Sequence, residues 1–292
     1  MMQRNWKLLD ILSETSSFFA GRDIENPRLQ AEILLADVLG LRRLDLYLEF
    51  ERPLTAAEVN AYREHVKKRL QGMPVQYITG EVGFRELVLV VSEAVLIPRP
   101  ETEILVQVVL DRLATVESPR VLDLGCGSGA IAISLAREHP TTQVVATDIT
   151  PEALEVTRQN AELNAVSERL TLLCGDLFEA VPEERFDAIA SNPPYVPRND
   201  IAHLAPEVRN HEPHQALDGG ADGLDYYRRI AAEAPALLAP TGFLALEVGD
   251  TQSTPVSSLL TEAGFSTVEI HPDLNDIPRV VLATTQSLDS IS

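Results

Sequence analysis

From Arg120 onward, short apolar runs that suit strands alternate with longer segments that suit helices. Strands separated by helices of this length form a mostly parallel, doubly wound α/β sheet of the Rossmann-like type. In such sheets ligands bind at the carboxyl ends of the strands, so the residues that follow each strand are the candidates for function. The predicted strands are 121–124, 143–148, 170–174, 186–191, 243–248, 266–270 and 279–284.

The first 72 residues carry only helical patterns. Asn26 followed by Pro27 predicts a capped helix start, and Thr55 with Glu58 predicts a capping box that opens another helix. Residues 76–92 carry β-branched alternation around two glycines, which predicts a hairpin. We therefore predict three parts, a helical domain over 1–72, a hairpin linker over 73–94 and a sheet domain over 95–292.

The composition excludes several classes of protein. No apolar run approaches the roughly 20 residues of a membrane span, and polar residues interrupt the start of the chain, unlike a secretion signal. Two cysteines, Cys126 and Cys174, are too few for a disulfide framework and match no zinc spacing. These observations predict a cytoplasmic protein without a membrane partner.

The net charge of −20 is confined to one part of the chain. Residues 1–80 hold 11 Lys+Arg and 11 Asp+Glu, so residues 81–292 carry the whole excess, and no lysine follows Lys68. Binding to a phosphate backbone draws its affinity from Lys and Arg side chains that release counterions. The charge therefore argues against a nucleic acid partner.

A glycine-rich segment, VLDLGCGSGA at 121–130, follows a predicted strand and opens a predicted helix. Glycines let the backbone turn tightly and approach a ligand closely. Asp148 ends the next strand, where a carboxylate can accept hydrogen bonds from two ribose hydroxyls. The lack of GK[ST] excludes a triphosphate loop, whereas a dinucleotide loop and the adenosylmethionine loop D-x-G-x-G-x-G, which begins here at Asp123, both stay open. The candidate cofactor-binding residues of this loop are Gly125, Cys126, Gly127, Ser128 and Gly129.

Asp176 and Leu177 follow the third predicted strand, at the position where an adenine ring would lie. The carboxylate can accept from the exocyclic amine, and the leucine can pack on the ring. A strand end with a capping aspartate is the structural alternative, and both interpretations stay open.

The fourth strand ends in an unusual turn, Asn192-Pro193-Pro194-Tyr195. The Asn192 side-chain oxygen and the Pro193 carbonyl are two acceptors held close together by restricted proline dihedrals. Two acceptors suit a planar NH2 group, and the Tyr195 ring offers a face on which a flat group can stack. We predict that these four residues are catalytic and bind the substrate, and that Asn192 also lies at the cofactor.

The pairing of this turn with the glycine loop resembles the amino-methyltransferases, in which [N/D]PP[Y/F] marks methylation of a planar NH2 group. Between about Met73 and Val281 the chain is similar to the release factor glutamine methyltransferases, the PrmC or HemK family. The similar segments are MPVQYITGEVGF (73–84), VLIPRPETEILV (95–106), DLGCGSGAIAISLA (123–136), SNPPYVP (191–197), EPHQALDGGADGLDYYRRI (212–230) and LEVG (246–249).

This resemblance implies a class I methyltransferase that uses S-adenosyl-L-methionine and releases S-adenosyl-L-homocysteine. The methyl group would pass to the N5 atom of the glutamine in the Gly-Gly-Gln loop of peptide chain release factors. The resemblance places the cofactor on Gly125–Gly129 and Asp148, and the substrate on Asn192–Tyr195. We expect residues 1–72 to dock the release factor through the basic cluster Arg63, Lys67, Lys68 and Arg69, although a solvated helix face is the simpler interpretation of such a cluster.

An adenine-N6 methyltransferase acting on DNA or RNA is the main alternative, since adenine also presents a planar NH2 group. It would need base flipping and a basic channel, which the acidic residues 81–292 do not obviously provide. A nonenzymatic nucleotide-binding protein would not need the NPPY turn, and an NAD-dependent oxidoreductase lacks a candidate hydride-transfer acid. No metal site is expected, because His211 and His214 lack an evident third ligand.

Overall fold

The computed structural model describes residues 5–285, and their contacts divide the chain into two compact units. The first unit runs to Gly80 and also includes Pro206–His211, and the second comprises Glu81–Ala205 and the chain from Glu212 onward. Each unit has its own hydrophobic core. Within residues 5–285, no helix is both long and apolar enough to cross a membrane.

The first unit is helical. Its helices are α1 (Leu8–Ala20), α2 (Pro27–Leu39), α3 (Ala56–Leu70), α4 (Val75–Thr79) and, later in the chain, α8 (Pro206–His211). The predicted capping box opens α3, because the Glu58 N–H donates to Thr55 Oγ1 at 3.2 Å and the Thr55 N–H donates to Glu58 Oε2 at 2.7 Å. Asn26 precedes α2 as predicted but does not cap it, because this residue adopts a left-handed conformation and its side chain makes no cap hydrogen bond.

The basic cluster predicted on α3 is not a single exposed surface. Arg63, Lys67 and Lys68 are exposed, whereas Arg69 is 8% exposed. The Arg69 guanidinium donates to Gln30 Oε1 at 2.5 Å and to Glu207 Oε2 on α8 at 2.6 Å. Arg69 therefore joins helices inside the first unit, and only the other three cations can face a partner.

The predicted hairpin is shorter than the sequence pattern suggests. It consists of β1 (Glu81–Phe84) and β2 (Leu87–Val90), and residues 76–79 belong to α4 instead. Pro74 precedes α4 with a φ of −54° that suits a helix start, and Gly80 ends it in the left-handed conformation with a φ of 78°. Helix-capping residues on both sides thus outweigh the β-branched pattern between them.

The second unit contains a seven-stranded sheet in the order β5-β4-β3-β6-β7-β9-β8. All neighbours from β5 to β7 are parallel, and β9 is antiparallel to both β7 and β8. The predicted doubly wound, Rossmann-like sheet is confirmed, with its switch point between β3 and β6. The strands are β3 (Arg120–Leu124), β4 (Gln143–Asp148), β5 (Leu170–Cys174), β6 (Phe186–Ser191), β7 (Leu238–Glu247), β8 (Thr267–Pro272) and β9 (Pro278–Thr284).

Helices cover both faces of this sheet. They are α5 (Thr102–Leu113), α6 (Ala130–Glu138), α7 (Pro151–Leu163), α9 (Asp225–Leu237) and α10 (Ser253–Glu262). On β3, Val121 joins the core that includes α5, α6 and α7, and Leu122 joins the core that includes α9 and α10. Burial on both faces explains why these strands are continuous apolar runs in the sequence.

Candidate active site

The glycine loop joins β3 to α6. Gly125, Gly127 and Gly129 have φ angles of 71°, 54° and 81°, which favour glycine. A Cβ on Gly125 or Gly127 would meet no atom within 4 Å, and both residues line an open cleft. A Cβ on Gly129 would instead lie 2.8 Å from side-chain atoms of Ile133 and Thr157. The first two glycines therefore leave room for a ligand, and the third allows the loop to pack on its helices.

Asp148, the last residue of β4, is held against this loop. Its Oδ2 accepts from the Gly127 N–H at 2.9 Å, and its Oδ1 accepts from the N–H and the hydroxyl of Thr150, both at 3.0 Å. A carboxylate has about four acceptor positions, so Asp148 is fixed in place and can still accept from a ligand.

A second carboxyl group, that of Asp123, lies fully buried at the end of β3. Its Oδ2 accepts from the Ala132 N–H at 3.0 Å, and its Oδ1 has no partner among the described residues. Burial raises the pKa of Asp123 to about 7, and the nearby charge of Asp148 acts in the same direction. A cation close to the loop would favour the charged form of Asp123.

The cleft beside the loop has an empty volume of about 1050 Å³, its mouth included. Asp148 and Asp176 line it, and within the described chain its lining residues include no lysine or arginine. The only charged side chains in that lining are acidic and would repel a pyrophosphate, which argues against the dinucleotide alternative. Ile149, which is 46% exposed, adds an apolar surface next to Asp148. The cleft thus suits a cationic ligand that also carries a hydroxyl group and a flat apolar part.

The NPPY turn begins directly beside the glycine loop. Leu124 and Ser191 are paired across β3 and β6, and the Ser191 hydroxyl donates to the Leu124 carbonyl at 2.7 Å. Gly125 and Asn192 therefore leave adjacent strands at the same level, and both line the cleft. The sheet register brings the two sequence motifs together.

Two acceptors of the turn remain available to a ligand. Asn192 Nδ2 donates to Thr102 Oγ1 at 3.1 Å, whereas no donor within residues 5–285 reaches Asn192 Oδ1. The Pro193 carbonyl also receives no hydrogen bond from that part of the chain, and Pro193 lines the cleft. The arrangement can accept two N–H groups from one planar NH2 group.

Close backbone contacts hold the turn in place. Gln252 Nε2 donates to the Tyr195 carbonyl at 2.9 Å and to the Gly223 carbonyl at 3.2 Å. A Cβ on Gly223 would lie 2.4 Å from the Tyr195 carbonyl oxygen, and a Cβ on Gly219 would lie 2.8 Å from the Pro194 carbonyl oxygen. Only glycine at these two positions allows the segment to lie against the turn.

Ten of the predicted site residues line one cleft, namely Gly125, Cys126, Gly127, Ser128, Asp148, Asp176, Leu177, Asn192, Pro193 and Pro194. Gly129 and Tyr195 lie outside its lining. The Tyr195 ring packs against the core that includes α9 and α10, and burial raises the pKa of its hydroxyl to about 12. Stacking of Tyr195 on a substrate stays a prediction. Asp176 pairs with Arg229 of α9 at 2.9 Å, a contact that the sequence did not suggest.

Among the residues that line the cleft and that sequence reasoning missed are Thr102, Ile149 and Tyr226. Thr102 and Tyr226 lie in segments that carry the family resemblance, but the sequence pattern assigned no chemistry to them. Ile149 could have been found as an apolar residue directly after a strand-ending acid, beyond the strand that would bury it. Within residues 5–285, no three His, Cys, Asp or Glu side chains are arranged to hold a metal ion.

Two family models match the chain. The model described as the PrmC N-terminal domain matches residues 10–80, and the model described as the methyltransferase small domain matches residues 99–210. Among solved structures, the catalytic domain of hMettl16 in complex with MAT2A 3'UTR hairpin 6 is similar with a TM-score of 0.58. It covers 69% of this chain and 77% of that chain at 16% identity, so this likeness concerns the fold alone.

Relatives named release factor glutamine methyltransferase are similar over nearly the whole chain. The protein of that name from Chlorobaculum tepidum is 43% identical over 286 residues, which cover 95% of this chain and 97% of the relative. The protein from Geobacter sulfurreducens is 43% identical over 276 residues, which cover 94% and 96%. The chain belongs to the release factor glutamine methyltransferase family.

Proposed function

We propose that the protein transfers a methyl group from S-adenosylmethionine to the N5 nitrogen of the glutamine in the Gly-Gly-Gln loop of peptide chain release factors. The observation that carries this proposal is the pair of available acceptors, Asn192 Oδ1 and the Pro193 carbonyl, beside the glycine loop. The names of the relatives support the substrate, and the proposal places the enzyme in the cytoplasm, where release factors act.

The cleft of the second unit is the proposed binding place of S-adenosylmethionine. The loop Gly125–Gly129 would give it room, Asp148 would accept from a ribose hydroxyl, and Ile149 and Leu177 would offer apolar surface to the adenine. The acidic lining suits a cationic ligand. When bound, this cofactor supplies an electrophilic methyl group on a positively charged sulfur and leaves as S-adenosylhomocysteine.

Orientation is the main contribution of the NPPY turn to the reaction. The amide nitrogen of glutamine is a weak nucleophile because its lone pair is delocalised. Asn192 Oδ1 and the Pro193 carbonyl would accept its two N–H groups and fix the plane of the nitrogen. Each such bond nets only ~1 kcal/mol, whereas positioning can lower a barrier by about 7–11 kcal/mol. Because the proton can leave after the nitrogen becomes cationic, the turn does not need to supply a base.

The test offers different acceptors to the purified protein with methyl-labelled S-adenosylmethionine. We expect label in a purified release factor, on the peptide that contains Gly-Gly-Gln, and none in duplex DNA, ribosomal RNA or free glutamine. Mass spectrometry of the labelled peptide identifies the modified residue. Label in nucleic acid but not in release factor would contradict the proposal and favour the adenine alternative.

The same assay tests the role of Asn192. We expect Asn192→Ala to lower methyl transfer about 100-fold, since misplacement of a reacting group costs about that much. Its affinity for S-adenosylmethionine, measured by calorimetry, should change by less than about threefold. Asn199→Ala, an exposed asparagine of the same loop, is the matched control and should keep full activity. Loss of cofactor binding alone would show that Asn192 does not hold the substrate.

A further inference from the structure

At the wall of the cleft, three polar side chains from distant segments form a series of hydrogen bonds. Thr102, the first residue of α5, donates from its hydroxyl to Glu247 Oε2 at 2.6 Å. Asn192 Nδ2 donates in turn to Thr102 Oγ1 at 3.1 Å. Thr102 is 4% exposed and Glu247, the last residue of β7, is 2% exposed. Ser191 pairs with Leu246, so Asn192, which directly follows β6, and Glu247, the last residue of β7, are neighbours as well.

The direction of these hydrogen bonds follows from the number of protons available. A threonine hydroxyl has one proton, and a carboxylate can only accept. The proton of Thr102 is therefore committed to Glu247, which leaves its oxygen as an acceptor toward Asn192. Only the NH2 end of the Asn192 amide can satisfy that acceptor. The reversed amide would place two acceptor oxygens against each other in a buried position, and this is costly.

We propose that Thr102 and Glu247 are positioning residues that fix which end of the Asn192 amide faces the cleft. This inference rests on the proposed function, in which Asn192 Oδ1 accepts from the substrate NH2 group. An Asn192 amide in the reversed orientation would present donors to those N–H groups and accept from none of them. The pair therefore sets the preference of the turn for an NH2 group over a carbonyl.

The protonation state of Glu247 controls the direction of the hydrogen bonds from Glu247 through Thr102 to Asn192. A protonated Glu247 can donate to Thr102 Oγ1. The threonine hydroxyl is then free to donate to the oxygen of the reversed Asn192 amide, which stabilises that orientation. Burial raises the pKa of Glu247 to about 7, and the charge of Glu101 before α5 acts in the same direction. Hydrogen bonds from Thr102 and Asn192 and the charge of Arg279 on β9 act in the opposite direction. Tyr195 and Tyr227 also face this carboxyl group. Methyl transfer should therefore decrease as the pH falls through about 7.

The test compares Thr102→Val, Thr102→Ser and Glu247→Gln with the full-length wild type, using release factor and labelled S-adenosylmethionine. We expect kcat of Thr102→Val to fall about tenfold or more, because it lacks the hydroxyl that accepts from Asn192 and donates to Glu247. Thr102→Ser, which keeps the hydroxyl, should stay within about threefold of the wild type. All three variants should bind S-adenosylmethionine with wild-type affinity. The ratio of wild-type kcat to that of Glu247→Gln should rise with pH through about 7.

The outcomes separate this inference from the proposed function. A wild type that does not methylate release factor contradicts the proposed function itself. An active wild type with an equally active Thr102→Val contradicts the positioning role, as does a Thr102→Ser variant as slow as Thr102→Val. A ratio of wild type to Glu247→Gln that does not change with pH excludes the reversal by protonation. If calorimetry shows that Thr102→Val does not fold, the activity of Thr102→Ser and the pH dependence of Glu247→Gln still test the positioning role.

Discussion

At the scale of single residues, Glu247 links stability to pH. Its carboxyl group is buried, and burial raises its pKa from 4.5 to about 7. Because the unfolded chain releases this proton at lower pH than the folded protein, the folded protein binds more protons between these two values. The contribution of Glu247 to stability is thus greatest below pH 4.5 and is lost as the pH rises through about 7.

This linkage predicts a pH-dependent difference between the wild type and Glu247→Gln. Glutamine stays neutral, so between pH 4.5 and 8 the wild type should lose about 3 kcal/mol of unfolding free energy relative to the variant. Urea denaturation of both proteins across this range measures the difference, and the comparison cancels the separate titration of Asp123. Parallel stability curves would show that Glu247 does not titrate in this range.

The sequence reveals a residue most reliably when its chemistry depends on near neighbours. The glycine loop, Asp148 and the NPPY turn are local patterns at strand ends, and their residues could be predicted to lie at the cleft, apart from Gly129 and Tyr195. The bond between Thr102 and Glu247 joins positions 145 residues apart, and the register of β6 with β7 brings Glu247 beside Asn192. No local pattern encodes that register, so the two residues that orient Asn192 could not be predicted from the sequence.

At the scale of elements, the stiffness of the NPPY turn comes from its neighbours as well as its prolines. Gly223 has a φ of 78°, and its missing side chain lets the segment approach the Tyr195 carbonyl. Gln252, which directly precedes α10, donates from its side-chain amide to the carbonyls of Tyr195 and Gly223. The prolines could be recognised in the sequence, whereas the segment that supports them lies more than 20 residues away.

Gly223→Ala should therefore impair methyl transfer through displacement of the turn. A Cβ at 2.4 Å from a backbone oxygen forces the two segments apart, so we expect methylation to fall about 100-fold while S-adenosylmethionine still binds. Gly264→Ala is the matched control, because its φ of 96° brings similar backbone strain but its Cβ would meet no atom within 4 Å. Equal activity of the two variants would contradict a role for close approach.

Residue patterns also predicted most elements, because two-sided burial makes the parallel strands apolar throughout. The main errors in the predicted elements concern the ends of two helices and the start of one strand. Helix α4 replaced the start of the predicted hairpin between Pro74 and Gly80, and Asn26 turned out not to cap α2. Strand β7 begins at Leu238 rather than at 243, because Phe186 pairs with Leu238 before a shift in register.

At the scale of the whole molecule, we propose that the helical residues 1–72 dock the release factor while residues 95–292 carry out the chemistry. The exposed cations Arg63, Lys67 and Lys68 of α3 are the proposed contact. Replacing all three by glutamate should raise KM for release factor about tenfold and leave kcat and cofactor affinity unchanged, since exposed charges act mainly on association.

Steady-state kinetics at low and high salt measure this effect, which should shrink at high salt as the charges are screened. Arg22→Glu, an exposed cation after α1, serves as the control and should leave KM unchanged. A triple variant with wild-type KM at low salt would place the docking surface elsewhere.

Helix α8 limits how this protein can be cut into separate fragments. The chain leaves the second unit after Ala205, contributes α8 to the first, and returns at Glu212. No single cut therefore yields two self-contained pieces, and a fragment starting at Glu81 would keep Glu207 without its partner Arg69. Exchange of the helical unit between relatives would therefore require transplanting α8 with it, from the middle of the other unit's sequence.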